Sequence, residues 1–512
     1  MTKSKVYLPE NVKQLMQRLI DNGYNTMVIG GAVKDHYMHV EPNDYDVFGN
    51  CKDLLKIFPE GHIIGGKERQ EKILTIIVDG VEISTYRKSG DRKILGETLE
   101  EHQATCDFTM NSIACDINGD IDLTNKYNIQ GIKDINDKIL RFVGSPKIRI
   151  EEDELRILRG IRFILKCNLT VEKTTLSYLE PYINGEKTLN VPKERIRDEL
   201  MKILELDLKY DFLYYIGMFL PSALEDEKML CDGGGHHNET PLAHSIYAFL
   251  EASKLTKNNL IKIAALLHDS GKATDRGEKY ICPDCGNKML HIKPNKLDCD
   301  CGLCCCEDEV KPKVTFYGHH HTGAKIVRAW MTGMKFSNKE IDFVVCLVEN
   351  HMHGLMNEVP STKSYIRLFH ELRQKRVDII DYISLCYADN QGNLKQPRMK
   401  FVDYLKDNHY LKAYIRFKKD NIPLELSELA ISGKDIIERY HITNGLAIGN
   451  ILRFVFNRIK DDSLKNNKEV ILKHLDVKYT HNDMVTSLED LNKLRLKHKE
   501  KINKGEKNVM DE

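Results

Sequence analysis

The chain has 512 residues, 41% hydrophobic and 30% charged, with 76 basic and 76 acidic side chains and a formal net charge of zero. This composition excludes collagen-like, low-complexity and membrane-channel architectures, and the length suits about three or four domains. Zero net charge also excludes a whole-molecule basic field for nucleic acid, so any such contact is confined to a local patch.

Residues 10–22 carry Val12, Leu15, Met16, Leu19 and Ile20 at helical spacing, which predicts a short amphipathic helix with these five on one face. Met27-Val28-Ile29 reads as a buried strand ending at Gly30-Gly31, with a helix starting near Ala32. Asp44 to Phe48 reads as a second strand. Ile73–Val78 and Val81–Tyr86 flank Asp79-Gly80, a strong hairpin signal. The first 148 residues are therefore expected to be a mixed α/β head on a small, hairpin-rich sheet. From Ile150 the apolar period becomes helical, with Leu155, Leu158, Ile161, Phe163 and Leu165 in one long run, and stays so to about residue 475. The expected domains are a head (1–148), a helical neck (149–225), a third domain (226–395) and a helical C-terminal body (396–512). The overall class is α+β.

One segment interrupts the helices. Seven of the 14 cysteines lie between Cys282 and Cys306, which points to a bound metal in an insertion at about 279–313 rather than to disulfides. Cys282-Pro-Asp-Cys285 and Cys301-Gly-Leu-Cys304 have the paired spacing of a zinc ribbon, and Zn²⁺ would fold a piece too small for its own core. Cys299, Cys305 and Cys306 leave the second pair ambiguous. No apolar run approaches the roughly 20 residues that span a bilayer, and the N-terminus lacks a signal-peptide core. A cytoplasmic protein with no membrane partner is the expectation. The run Lys493, Arg495, Lys497, Lys499, Lys501, Lys504 and Lys507 is either a solvated helix or a contact for an RNA backbone.

Two constellations carry chemistry. In a strand, Asp44 and Asp46 would face one side, a costly arrangement unless the carboxylates share cations. Such a pair suits Mg²⁺ ions that span the attacking and leaving oxygens of a phosphoryl or nucleotidyl transfer. Gly30-Gly31, between strand and helix, lets a backbone approach a triphosphate. Further on, His244, His268-Asp269 and Asp389 form an H…HD…D series, extended by His319 and His351. Imidazole and carboxylate together suit a transition metal such as Mn²⁺, Fe²⁺ or Ni²⁺.

Gly30-Gly31-Ala32-Val33-Lys34-Asp35 followed by Asp44-Tyr45-Asp46 resembles the head of class II tRNA nucleotidyltransferases, the CCA-adding enzymes and bacterial poly(A) polymerases of the polymerase-beta superfamily. Asp107-Phe108-Thr109-Met110-Asn111 resembles their ribose-binding motif. Glu152-Asp153-Glu154-Leu155-Arg156, followed by Arg159-Gly160-Ile161-Arg162-Phe163, resembles their base-reading motif. Val191-Pro192-Lys193-Glu194-Arg195-Ile196-Arg197 resembles the next neck motif. The likeness runs to about residue 210 and returns at Gly433 to Ile437 and Gly445 to Gly449.

The resemblance implies a polymerase-beta-type head. Asp44 and Asp46 would hold catalytic Mg²⁺, with Glu82 a third acidic position. Gly30, Gly31 and Lys34 would meet the triphosphate. Asp107 and Asn111 would meet the ribose. Asp153 and Arg156, neighbours at i and i+3 on one helix, would pair with C or A, with Arg159 and Arg162 nearby. The family usually has Arg at the positions of Lys34 and Cys106. Lys offers only a point charge and Cys none, and Lys88, Arg92 or Lys93 would compensate.

The second series resembles HD-superfamily phosphohydrolases, of the kind fused to many bacterial CCA-adding enzymes. The resemblance implies hydrolysis of 2′,3′-cyclic phosphates or phosphate monoesters. The expected function is addition of C, C and A to tRNA 3′ ends from CTP and ATP, with pyrophosphate leaving and an accessory hydrolase. The alternatives are a poly(A) polymerase, an enzyme adding only CC or only A, a phosphohydrolase whose head binds RNA, and a non-enzymatic RNA-binding scaffold.

Overall fold

The computed structural model describes residues 5–64, 75–88, 94–226, 239–279, 290–293, 296–298, 313–355 and 360–478. They fall into two compact units, Met1–Glu225 with Trp330–Phe336, and Asp226–Ala329 with Ser337–Glu512. No helix among the described residues is long and apolar enough to cross a membrane. Cys282, Cys285, Cys301, Cys304, Arg92, Lys93 and the 493–507 basic run lie outside the described residues. Near the cysteines, the backbone of Leu290–Lys293 pairs antiparallel with Lys296–Asp298.

The first unit opens with helix α1, Glu10–Asp21, which buries Val12, Leu15, Met16 and Leu19. Burying side chains of this kind contributes about 1.5–3 kcal/mol each. Ile20 does not join them. It is 39% exposed, because it falls at the edge of an apolar stripe only about 100° wide.

Six strands form the head sheet: β1 (Thr26–Ile29), β2 (Asp46–Gly49), β3 (His62–Ile63), β4 (Thr75–Val78), β5 (Val81–Thr85) and β6 (Ala114–Cys115). Their spatial order is β3-β4-β5-β2-β1-β6. The expected hairpin joins β4 to β5. Asp79 and Gly80 both have positive φ, 48° and 78°, as a type I′ turn requires. The central pairing of β2 with β5 is parallel and sets Asp46 opposite Glu82 and Val47 opposite Ile83. Because side chains alternate, the fully buried Val47 and Ile83 hold one face to the core while Asp46 and Glu82 share the other.

The neck corrects one sequence expectation. The run from Ile150 is not one helix. Pro146–Glu152 stops, and Arg156–Cys167 starts afresh. Asp153 between them has extended backbone, and its Oδ1 accepts from the Leu155 N–H at 3.3 Å. A carboxylate that caps the following turn ends one helix and starts the next.

The second unit is built mainly from helices. Pro241–Leu255 packs along Ile379–Gly392 and Asn259–Leu267, and the latter packs on Asn338–Asn350. Asn259–Leu267 is buried almost throughout, so its C-terminal end lies deep inside the unit.

Candidate active site

The head sheet and the neck enclose a cleft of about 780 Å³. Gly30 and Gly31 lie on its wall where β1 turns into helix α2, Gly31–Tyr37. Asp46 lines it at the start of β2, and Glu82 from β5. Asp44 also lines it, but from the loop before β2 rather than from the strand itself. The two-residue strand alternation is thus not what aligns the aspartates. The loop brings Asp44 to the wall, and the β2–β5 register supplies the second strand-borne carboxylate. Burial, Glu82 and Asp44 together push the Asp46 carboxyl up to about 7. Carboxylates so crowded are a donor set for a hard divalent cation.

Lys34 lines the cleft but is 2% exposed, with its ammonium paired to Asp35 and 5.7 Å from the Phe163 ring centre. Cys106 is on the wall too, and burial pushes its thiol up to about 12, so it brings no charge. Lys88 is at the rim, paired to Glu101 at 2.8 Å.

Asp107 is fixed from three sides. Its Oδ2 accepts from Arg159 Nε at 2.8 Å, and its Oδ1 accepts from Asn111 Nδ2 at 2.9 Å and the Phe108 N–H at 2.8 Å. Burial raises this carboxyl, but Arg159 and the other donors outweigh it and hold it below the ordinary value. Asn111 Oδ1 is buried without a hydrogen-bond partner among the described residues. An acceptor left so at a cleft wall is suited to a ligand hydroxyl.

Asp153 and Arg156, expected to meet the base together, both line the cleft. Asp153 Oδ2 accepts from Arg195 Nη2 at 2.9 Å, across 42 residues of chain. Arg156 is turned inward to Glu152 at 2.7 Å and to the Arg149 and Thr105 carbonyls, each at 2.9 Å. Arg162 pairs with Glu199 of the neck helix Lys193–Leu204. Arg87, Lys166 and Arg195 complete the cationic wall. Sequence reasoning had not chosen these three. Only Arg195 lay in a motif that could have signalled it.

In the second unit the His/Asp series converges. His244 stands on Pro241–Leu255 and Asp389 on Ile379–Gly392. His268 caps Asn259–Leu267, with Asp269 next to it, and His351 caps Asn338–Asn350. His319 opens His319–Gly333. All six are buried. His244 Nε2 is 2.9 Å from Asp389 Oδ1 and 3.2 Å from His268 Nε2. His319 Nε2 is 3.1 Å from Asp269 Oδ1 and 3.2 Å from His351 Nε2.

The Nδ1 atoms of His268, His319 and His351 lie 2.7–2.8 Å from the carbonyls of Ala265, Phe316 and Val348. A carbonyl only accepts, so each Nδ1 donates and each Nε2 points a lone pair inward. Lone pairs that face one another at 3.2 Å repel, and a proton or a metal ion between them removes the conflict. Backbone carbonyls behind imidazoles are the usual outer partners of metal ligands. Burial acts to lower the imidazole of His268, yet Asp269 and Asp389 hold it well above its ordinary value. His351 is instead pushed down to about 3, by burial first and then by His268. Asp389 Oδ2 is buried with no hydrogen-bond partner among the described residues. Two triads, His244–His268–Asp389 and His268–Asp269–His351, have ligand atoms close enough for one ion each. The site thus fits a cation. Sequence reasoning missed Lys272, whose ammonium is 2.6 Å from Asp269 Oδ2, and Glu239, 3.6 Å from His244 Nδ1.

Gly271 holds this arrangement together. A Cβ there would sit 2.1 Å from the His319 carbonyl oxygen and 2.7 Å from the Gly323 nitrogen. Gly271→Ala is expected to push the His268–Asp269 segment away from His319. The measurement is thermal melting with metal analysis, and the expected result is a loss of about 1–3 kcal/mol together with reduced bound metal.

Residues 26–141 match the family model described as the poly(A) polymerase head domain. The poly(A) polymerase I of Escherichia coli O157:H7 is 27% identical over 229 residues, which are 41% of this chain and 48% of that protein. The CCA-adding enzyme of Staphylococcus epidermidis is 31% identical over 204 residues, 38% of this chain and 50% of that protein. The chain spans about half the length of the curated relatives it matches. The crystal structure of the Bacillus stearothermophilus CCA-adding enzyme in complex with CTP aligns with 94% of this chain and 98% of its own, at a TM-score of 0.56 and 20% identity. A CCA-adding enzyme in complex with ATP aligns with 93% of this chain and 96% of its own, at 0.53 and 14%. The head is therefore similar in sequence to class II nucleotidyltransferases, and the chain has the α+β fold of the CCA-adding enzymes.

Proposed function

We propose that this protein is a template-independent RNA nucleotidyltransferase that adds C, C and A to the 3′ end of tRNA from CTP and ATP. One observation carries the reading: a single cleft has three carboxylates on one wall and a guanidinium-rich wall that includes Asp107–Arg159 and Asp153–Arg195. Mg²⁺ held by Asp44, Asp46 and Glu82 would neutralise charge at the attacking and leaving oxygens. The glycines keep side chains off the wall beside the carboxylates. Asp107 orients Asn111, whose open acceptor suits a ribose hydroxyl. Arg159, Arg162 and Lys166 set positive charge along the cleft, which favours a triphosphate.

The reading is tested by supplying the protein with Mg²⁺, a tRNA transcript ending before CCA, and labelled nucleotides singly and together. The expected result is two C from CTP alone, and one A only when CTP is also present. A long A ladder would make it a poly(A) polymerase, and no incorporation would overturn the reading.

A second activity is favoured by the inward-facing imidazoles of the second unit. We propose a phosphohydrolase site there for 2′,3′-cyclic phosphates or phosphate monoesters. A transition metal held by His244, His268, Asp269 and Asp389, with His319 and His351 beside it, would act as a Lewis acid on a phosphoryl group. Burial of all six ligands keeps them from competing hydration, and the backbone carbonyls keep three imidazoles aimed. A zinc ribbon in the 279–313 insertion completes this reading and rests on cysteine spacing alone.

A further inference from the structure

We infer that His102 is a phosphate-binding residue of the cleft, whose Nε2–H donates a hydrogen bond to a phosphate oxygen of the substrate. The inference rests on the nucleotidyl-transfer reading above and adds to it a neutral donor outside the carboxylate and guanidinium sets.

Local structure fixes the place of this residue. His102 stands on the short helix Leu99–Gln103 and lines the cleft. Thr98 and Glu101 cap that helix reciprocally. Thr105 Oγ1 donates to the His102 carbonyl at 2.7 Å. The neighbouring Gln103 Nε2 donates to the Ser112 carbonyl at 2.7 Å and to Asn128 Oδ1 at 2.9 Å. The imidazole lies 4.3 Å from the Phe48 ring centre and 5.7 Å from that of Tyr86. Phe48 is opposite Ser84 just as Asp46 is opposite Glu82. Side chains alternate along a strand, so the imidazole rests on the sheet face that carries the cleft carboxylates.

One contact sets the tautomer. Nδ1 lies 3.2 Å from the backbone nitrogen of Arg87, whose N–H only donates, so Nδ1 accepts. Burial, with Arg87 adding to it, pushes the imidazole down to about 3. The ring is therefore neutral and carries its single proton on Nε2. His102 is 5% exposed, and its Nε2 has no acceptor among the described residues. On a buried ring that lines the cleft, this donor is left for what enters the cleft. Arg87 and Lys88 follow on the same wall, so the local field favours an anionic acceptor. Both substrates of the transfer bring one: the nucleotide its triphosphate, the RNA its last phosphodiester.

The test separates the two nitrogens by substitution. Asparagine places a carbonyl where Nδ1 stands and keeps an acceptor for the Arg87 N–H, but it stops short of Nε2. Glutamine carries an N–H to the position of Nε2 and gives up the Nδ1 acceptor. Calorimetry measures binding of CTP, inorganic tripolyphosphate and a tRNA transcript ending before CCA to the full-length protein in Mg²⁺. His102→Asn is expected to weaken the phosphate ligand about 10- to 100-fold, the scale of a hydrogen bond to a charged group, and His102→Gln less than about fivefold. A loss for CTP and tripolyphosphate with RNA binding kept assigns the donor to the triphosphate. A loss for RNA alone assigns it to the phosphodiester.

An asparagine variant that binds as well as the glutamine variant, or better, overturns the inference and leaves His102 a brace for the Arg87 backbone. If the asparagine variant fails to fold, the glutamine variant decides: a loss beyond about fivefold for the phosphate ligands overturns the inference, and a smaller one supports it. These outcomes leave the nucleotidyl-transfer reading standing. A wild type that binds none of the three ligands refutes that reading as well.

Discussion

Asp46→Asn is expected to lower nucleotide incorporation by at least about 100-fold, the scale on which losing one placed electrostatic group costs in kcat. Without divalent ions, the same change is expected to raise the melting temperature. The two effects have one cause. Asp46 is a carboxylate crowded by burial and by Glu82 and Asp44, and its carboxyl is held at about 7. In the unfolded chain it ionises near 4. The folded state therefore keeps its proton over a range in which the unfolded state has lost it. Stability from this group falls as pH rises from about 4 to about 7, because the native state binds the extra proton there. Asparagine cannot ionise and removes that slope. Added Mg²⁺ should raise the melting temperature of wild type, since a ligand bound only by the native state stabilises it, and should raise the variant's far less. Calorimetric scans at pH 5 and pH 8, with and without Mg²⁺, check this. A variant that incorporates nucleotides like wild type would sink the carboxylate assignment.

What the sequence made legible, and what it hid, follows from the range of each interaction. The β4–β5 hairpin was readable from Asp79-Gly80 because turn chemistry is local. The β2–β5 pairing that sets Glu82 opposite Asp46 is non-local, and only the surroundings of the two segments hinted at it. The break at Asp153 went unread because neither Pro nor Gly marks it. A side-chain carboxylate that caps the Leu155 N–H does the work instead. Arg195 is the partner of Asp153 across 42 residues of chain, a contact that no spacing rule contains. The convergence of the His/Asp series was legible for the opposite reason. Each residue sits at a helix end or on an inward face, and the helices are strongly apolar. The carbonyls of Ala265, Phe316 and Val348 that orient the imidazoles carry no side-chain signature, so the inward aim of the ring nitrogens could only be seen in three dimensions.

Asp269→Ala is expected to abolish both metal retention and phosphoester hydrolysis by the second unit, with nucleotide incorporation by the head intact. Asp269 is the residue whose two oxygens serve both halves of the cluster. Oδ1 faces His319 at 3.1 Å and His351 at 3.7 Å, while Oδ2 faces His268 at 3.3 Å. Alanine removes a buried negative charge that His268 and Lys272 are placed to meet. It leaves a buried cation short of its partner, a loss on the order of 3–5 kcal/mol. In the wild type a chelator is expected to lower the melting temperature of the second unit. A bound cation removes the conflict between imidazole nitrogens that face one another at 3.2 Å, and a chelator restores it. Metal analysis of the purified protein, melting scans with and without chelator, and hydrolysis of a 2′,3′-cyclic nucleotide check each part. If Asp269→Ala retained metal at the wild-type level, the cluster would be no metal centre, and the hydrolase reading would fall while the head's reading stood.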